Sequence, residues 1–142
     1  MLSGNVASGD YASGGLPFDS CVNVYPQMVF VFTLGGTTGG CDLYFEIMTY
    51  SQLPTSRKGG CTTNCYQFPK VKLTYTTGLN SIFIYDTEGT GLPADRVEIG
   101  KEIVGLQWRL QSPASVGDGG QGAACTGVNL TIDDVSLTIY VH

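Results

Sequence analysis

The chain has 142 residues, of which 42% are hydrophobic and 13% charged, and its formal net charge is -5. That length suits one domain of roughly 100–150 residues, and the apolar share excludes a disordered chain. The acidity argues against nucleic acid and an anionic membrane surface as partners, since both ask for a basic patch. The single histidine, His142, ends the chain and leaves no internal imidazole for catalysis or a His-rich metal site. No apolar run approaches the roughly 18 residues of a membrane span.

Residues 1–15 carry little periodic signal and form a poorly defined N-terminal segment of a single domain over 1–142. Leu16-Pro-Phe-Asp-Ser-Cys-Val22 reads as a short strand. Met28-Val-Phe-Val-Phe-Thr-Leu34 is a near-continuous β run, punctuated by Gly35-Gly36-Thr-Thr-Gly39-Gly40. Asp42 to Tyr50 alternates: Leu43, Phe45 and Ile47 share one face, and Asp42, Tyr44, Glu46 and Met48 the other. Ser51 to Phe68 is a long loop. Val71–Tyr75 and Ser81–Tyr85 are the next strands, joined through Gly78-Leu79-Asn80. Asp86 to Lys101 is a polar connection with a helical turn expected near Pro93–Arg96.

Glu102 to Leu110 alternates again, with Val104, Leu106, Trp108 and Leu110 on one face and Gly105, Gln107 and Arg109 on the other. The apolar company of Trp108 marks it as a core residue. A Gly/Ser/Ala loop, Gln111–Thr126, precedes a last strand from Val128 to Tyr140. Strands at regular spacing, with almost no helix signal, predict an all-β chain folded as an antiparallel two-sheet sandwich.

Five cysteines, Cys21, Cys41, Cys61, Cys65 and Cys125, lie in a low-charge chain rich in Gly, Ser and Thr. Several sit in loop-like text, which suits an oxidising, secreted setting. Met1-Leu-Ser-Gly4 has neither the basic nor the apolar region of a signal peptide, so the chain reads as a mature or excised fragment behind an added start Met. Cys61-Thr-Thr-Asn-Cys65 could be half a metal site, but no second Cys/His pair completes it, and a local disulfide is the better reading. The other cysteines allow one more bridge. Glycine-rich surroundings favour Cys41 with Cys125, but spacing does not fix connectivity.

Val128-Asn-Leu-Thr-Ile-Asp-Asp-Val-Ser-Leu137 resembles the last strand of jelly-roll carbohydrate-binding modules attached to bacterial, notably myxobacterial, polysaccharide-degrading enzymes. Gly105-Leu-Gln-Trp-Arg-Leu110 resembles the strand before it. Cys41-Asp-Leu-Tyr-Phe-Glu-Ile47, with the loop holding Gly59-Gly-Cys-Thr-Thr-Asn-Cys65, resembles the same modules. The resemblance spans roughly residues 16–140 and implies a jelly roll. Such modules carry one or two strands before the first one visible here, so the fold is expected to lack its first strand or to leave a sheet edge open to pairing with another copy.

The resemblance also implies glycan binding on the outer face of one sheet or at loop tips. Such a site needs aromatic planes for sugar C–H faces and planar polar groups for hydroxyls. Alternation turns Tyr44, Glu46, Met48 and Tyr50 outward on one strand and Gln107 and Arg109 on another. Tyr44, Glu46, Gln107 and Arg109 are therefore expected to form a solvent-facing patch; the plainer alternative is a sheet face with a Glu46–Arg109 ion pair. Tyr25, Tyr66 and Phe68 lie in loops as candidate exposed aromatics, Tyr66 and Phe68 steadied by a disulfide. Arg57 and Lys58 would suit an acidic sugar or keep the loop soluble.

Asp133 and Asp134 are adjacent on a strand, so one is expected to point inward, where a carboxylate needs a partner. In similar modules an aspartate here helps hold structural calcium. Asp134 with Asp19 or Asp10 would supply part of the roughly six to eight oxygens that calcium takes.

An enzyme is not expected. A glycosidase needs two carboxylates facing each other about 5–10 Å apart, and Glu46 has no evident second. A lyase wants a base beside Arg and Gln; Tyr44 could serve, but no lyase signature is present. The expectation is a non-catalytic, secreted module that binds polysaccharide and tethers an attached enzyme to it. The alternative is a self-assembling subunit of an extracellular fibre or adhesin, joined through an open sheet edge.

Overall fold

The computed structural model describes residues 2–6, 11–22, 28–74, 77–83, 102–113 and 124–139. The strands are β1 (Leu2–Val6), β2 (Tyr11–Val22), β3 (Met28–Thr37), β4 (Asp42–Thr49), β5 (Lys70–Leu73), β6 (Gly78–Phe83), β7 (Ile103–Gln111) and β8 (Cys125–Ile139). They form two antiparallel sheets, ordered β1-β8-β3-β6 and β2-β7-β4-β5. That order is the jelly roll, a two-sheet sandwich built from a pair of Greek keys.

Alternation explains the core. The inward residues Phe30, Phe32 and Leu34 of β3 face Leu43, Phe45 and Ile47 of β4 and Leu106, Trp108 and Leu110 of β7, and all are buried. Phe45 is the hub. Its ring lies 5.7 Å from Phe30, 5.2 Å from Phe32 and 5.4 Å from Trp108, and Trp108 meets Phe32 edge-on at 5.3 Å. Tilted and edge-on contacts at these separations add to area burial, which is worth about 1.5–3 kcal/mol for a large apolar side chain.

The chain passes from β3 to β4 at Gly39 and Gly40, whose φ angles of 61° and 92° are open to glycine and strained for most residues. A Cβ on Gly39 would stand 2.3 Å from the Thr126 carbonyl oxygen. This close approach brings Cys41, at the start of β4, to Cys125, at the start of β8. Their sulfurs are at disulfide distance, with Cα atoms 5.3 Å apart. The pair ties one sheet to the other at one end of the sandwich.

Several elements depart from the sequence reading. The segment before Leu16 forms β1 and half of β2, so strands precede the first one legible in the sequence. These strands lie at sheet edges, where Gly and Ser suffice because only part of the surface is covered. Gly78-Leu79-Asn80 begins β6 instead of linking strands. Val104 leaves the inward row: the β4–β7 register shifts between Met48 and Thr49, so Ile103 takes the buried place and Val104 turns outward. A second shift, between Val31 and Thr33 on β3, accommodates Asp134 at φ 51° on β8. Both Asp133 and Asp134 are exposed in consequence, and neither points inward. The helical turn expected at residues 93–96 lies outside the described residues. Among the described residues no helix is long and apolar enough to cross a membrane.

Candidate functional site

The outer face of the β2-β7-β4-β5 sheet collects the polar residues that alternation excludes from the core. Register places Tyr44 opposite Arg109 and Lys72, and Glu46 opposite Gln107 and Lys70. Tyr44, Glu46, Gln107 and Arg109 therefore share one surface. Their chemistry is largely turned toward one another. The Gln107 Nε2 donates to Glu46 Oε2 at 2.6 Å, and an Arg109 guanidinium nitrogen lies 3.8 Å from Glu46 Oε1. The other side of Arg109 rests on the Tyr11 ring, 4.1 Å from its centroid, and Lys70 sits 5.2 Å from the Tyr44 centroid. Lys72 pairs with Asp42 at 3.4 Å.

Glu46 is only 3% exposed, although its strand position faces outward. This corrects the expectation of a solvent-facing carboxylate. Alternation sets the direction of a side chain but not its depth, and the Gln107 and Arg109 side chains of the neighbouring strand lie against Glu46. A buried carboxylate is costly unless paired and hydrogen-bonded, and Gln107 and Arg109 meet that need. Arg109 Nε is itself buried without a hydrogen-bond partner among the described residues.

Beside this cluster the same face opens into a groove of about 540 Å³. Its floor comes from Ser13, Gly15 and Pro17 of β2, Met48 of β4, and Val104 and Gln107 of β7. Glycine makes room on the floor: a Cβ on Gly15 would lie 3.2 Å from Gln107 Cβ, and one on buried Gly105 would lie 2.2 Å from Cε of the floor residue Met48. The wall is the β4–β5 loop, through Tyr50, Leu53, Arg57, Lys58, Tyr66 and Phe68.

That loop is built to hold its shape. It makes two 3₁₀ turns, Tyr50–Gln52 and Thr55–Arg57, then folds back on itself. Gly60 N–H donates to the Tyr50 carbonyl at 2.9 Å, Cys61 N–H to Leu53 at 3.0 Å, and Tyr66 N–H to Gln52 at 2.8 Å. Cys61 and Cys65 are at disulfide distance, their Cα atoms 5.7 Å apart. The next residue, Tyr66, has a φ of 67°, a left-handed conformation that costs a non-glycine residue about 1–3 kcal/mol. Its ring stands edge-on to buried Phe68 at 6.0 Å and remains 51% exposed. Phe68, expected as an exposed aromatic, is instead the buried support.

Of the five residues expected to contact ligand, Gln107 and Tyr66 line the groove. Glu46 and Arg109 lie beside it, paired with each other, and Tyr44 lies beside it with Lys70 over its ring. Ser13 escaped the sequence reading because its Gly/Ser-rich segment showed no strand signal. Tyr11 escaped for the same reason.

Of the residues expected to hold calcium, Asp10 and the Asp19 side chain lie outside the described residues, and so does Tyr25, expected as an exposed aromatic. Asp134 is exposed, and its backbone N–H donates to Asp133 Oδ1 at 3.0 Å. Among the described residues no group of three or more His, Cys, Asp or Glu side chains is placed to hold a metal ion. Comparison with protein-family models, curated proteins and solved structures gave no match.

Proposed function

We propose that the protein is a non-catalytic, secreted polysaccharide-binding module that uses the groove on the outer face of β2-β7-β4-β5. The observation that carries this reading is Tyr66: an exposed aromatic ring, fixed by a disulfide-distance cysteine pair, a backbone hydrogen bond and Phe68, at the wall of a groove with Gln107 and Ser13 on its floor. A sugar ring offers a C–H face for the aromatic plane and hydroxyls for the amide and hydroxyl groups. A wall already ordered loses little entropy on binding. The described lining of the groove supplies no pair of carboxyl groups for glycoside cleavage. The module would act by holding an attached enzyme near its substrate, and the paired cysteines are compatible with an extracellular setting.

Affinity electrophoresis through gels containing soluble polysaccharides tests the reading. The protein is expected to be retarded in at least one gel, and Gln107→Ala to weaken that retardation. Uniform mobility in every gel would overturn it.

One observation favours self-assembly as a second reading. Among the described residues β1 pairs with β8 only as far as Leu130, and the remainder of β8 pairs with β3 alone. An apolar opening of about 190 Å³ between the sheets lies alongside, lined by Leu16, Phe18, Phe30, Leu106, Val135 and Leu137. An edge strand from another copy would pair there. Light scattering across a concentration series tests this: growth in mass supports it, and a monomer throughout removes it.

A further inference from the structure

Resting on the polysaccharide reading, we propose that the groove takes an acidic glycan, a polysaccharide bearing uronic acids, whose carboxylates are met by Arg57 and Lys58. The chain is acidic overall, with 12 Asp+Glu against 7 Lys+Arg, yet two adjacent cations stand on the groove wall and no carboxylate belongs to its described lining.

The other cations of this sheet face are engaged. Lys72 pairs with Asp42, Arg109 with Glu46 and the Tyr11 ring, and Lys70 with the Tyr44 ring. Arg57 and Lys58 have no ion-pair or ring partner among the described residues, and both are exposed. The carboxylate of Glu102, close to the loop, accepts the Ser51 hydroxyl and does not line the groove.

The backbone that carries the two cations is held in place. The Arg57 and Gly59 N–H groups both donate to the Pro54 carbonyl at 2.9 Å, and Lys58 N–H donates to Thr55 at 3.0 Å. A guanidinium presents a planar fork that matches a carboxylate with paired hydrogen bonds, and a neighbouring ammonium adds a point charge. Tyr66 on the same wall offers its ring to the sugar that carries the carboxylate.

Charge density selects the carboxylated sugar over a densely sulfated one. Two cations match about one negative charge per sugar unit, whereas a denser polyanion would meet the remaining negative charge of the protein once beyond the groove.

The test is affinity electrophoresis in polygalacturonate, alginate and glucuronoxylan, each beside its carboxyl-reduced neutral form, with dextran sulfate and neutral glucans as further gels. The wild type is expected to bind at least one polyuronate about tenfold or more tighter than its reduced form, the scale of one charge-assisted contact. Arg57→Gln/Lys58→Gln should lose that margin, while the charge-matched Lys70→Gln/Lys72→Gln, outside the groove, keeps it. Equal binding to the reduced polymers, undiminished binding by Arg57→Gln/Lys58→Gln, or tighter binding to dextran sulfate would overturn the acidic-sugar assignment and leave the polysaccharide reading standing. Free migration in every gel, neutral glucans included, would bring down both.

Discussion

Glu46 and Gln107 face each other across β4 and β7, and the Gln107 amide donates to the Glu46 carboxylate at 2.6 Å. Glu46 is buried, so this bond and the approach of Arg109 are what make a carboxylate tolerable there. Gln107 also lines the groove. The carboxylate thereby fixes the orientation of an amide available to a ligand.

Glu46→Ala is expected to destabilise the fold by about 1–3 kcal/mol, because it removes the acceptor of the Gln107 amide and leaves Arg109 without a carboxylate partner. Glu46→Gln keeps the shape and one hydrogen-bonding oxygen, and should cost about 1 kcal/mol or less. Urea unfolding curves compare the two. Equal losses would show that the carboxylate's interactions matter less than the space it fills.

The strands that enclose the core were the most legible part of the sequence. In β4 and β7 the inward residues Leu43, Phe45, Ile47, Leu106, Trp108 and Leu110 are apolar and their neighbours polar, so a period of two could be read directly. β1 and the first half of β2 were not legible. Edge strands of Gly, Ser and Ala have no apolar face to betray them. The outward shift of Val104 and the left-handed turn at Asp134 depend on register with the neighbouring strand, which a single segment does not encode. The site was half legible for a related reason. Alternation brought Tyr44, Glu46, Gln107 and Arg109 to one surface and offered a Glu46–Arg109 ion pair as the plainer alternative, which the structure contains; the Gln107–Glu46 hydrogen bond and the depth of Glu46 were not legible, because they depend on the neighbouring strand.

Phe45→Ala should cost about 3–5 kcal/mol, since it empties the space between Phe30, Phe32 and Trp108. Phe45→Leu refills much of that space and should cost clearly less. Denaturation midpoints, with Trp108 fluorescence as the probe, measure both. A loss below about 1 kcal/mol for Phe45→Ala would contradict the packing described.

The cysteine pairs should act differently. The Cys41–Cys125 pair spans 84 residues and the Cys61–Cys65 pair only 4. Loop-closure entropy then assigns about 4–5 kcal/mol to the long link and about 2 to the short one. Cys41→Ser/Cys125→Ser should lower the melting temperature markedly. Cys61→Ser/Cys65→Ser should lower it less and weaken glycan binding more, because the short link holds the wall on which Tyr66 stands. Calorimetric melting and affinity electrophoresis, run on both variants, would show the reverse order if the links had exchanged roles.

Tyr66 separates binding from stability most directly. At its φ of 67° glycine is unstrained, so Tyr66→Gly removes the ring while easing the backbone. The decisive measurement is affinity electrophoresis of the wild type and Tyr66→Gly across a polysaccharide panel, with melting temperatures taken alongside. The account predicts that the wild type is retarded in at least one gel while the variant runs there as in a blank gel, with its melting temperature preserved. A variant retarded as strongly as the wild type, or a wild type that no polysaccharide slows, would contradict it.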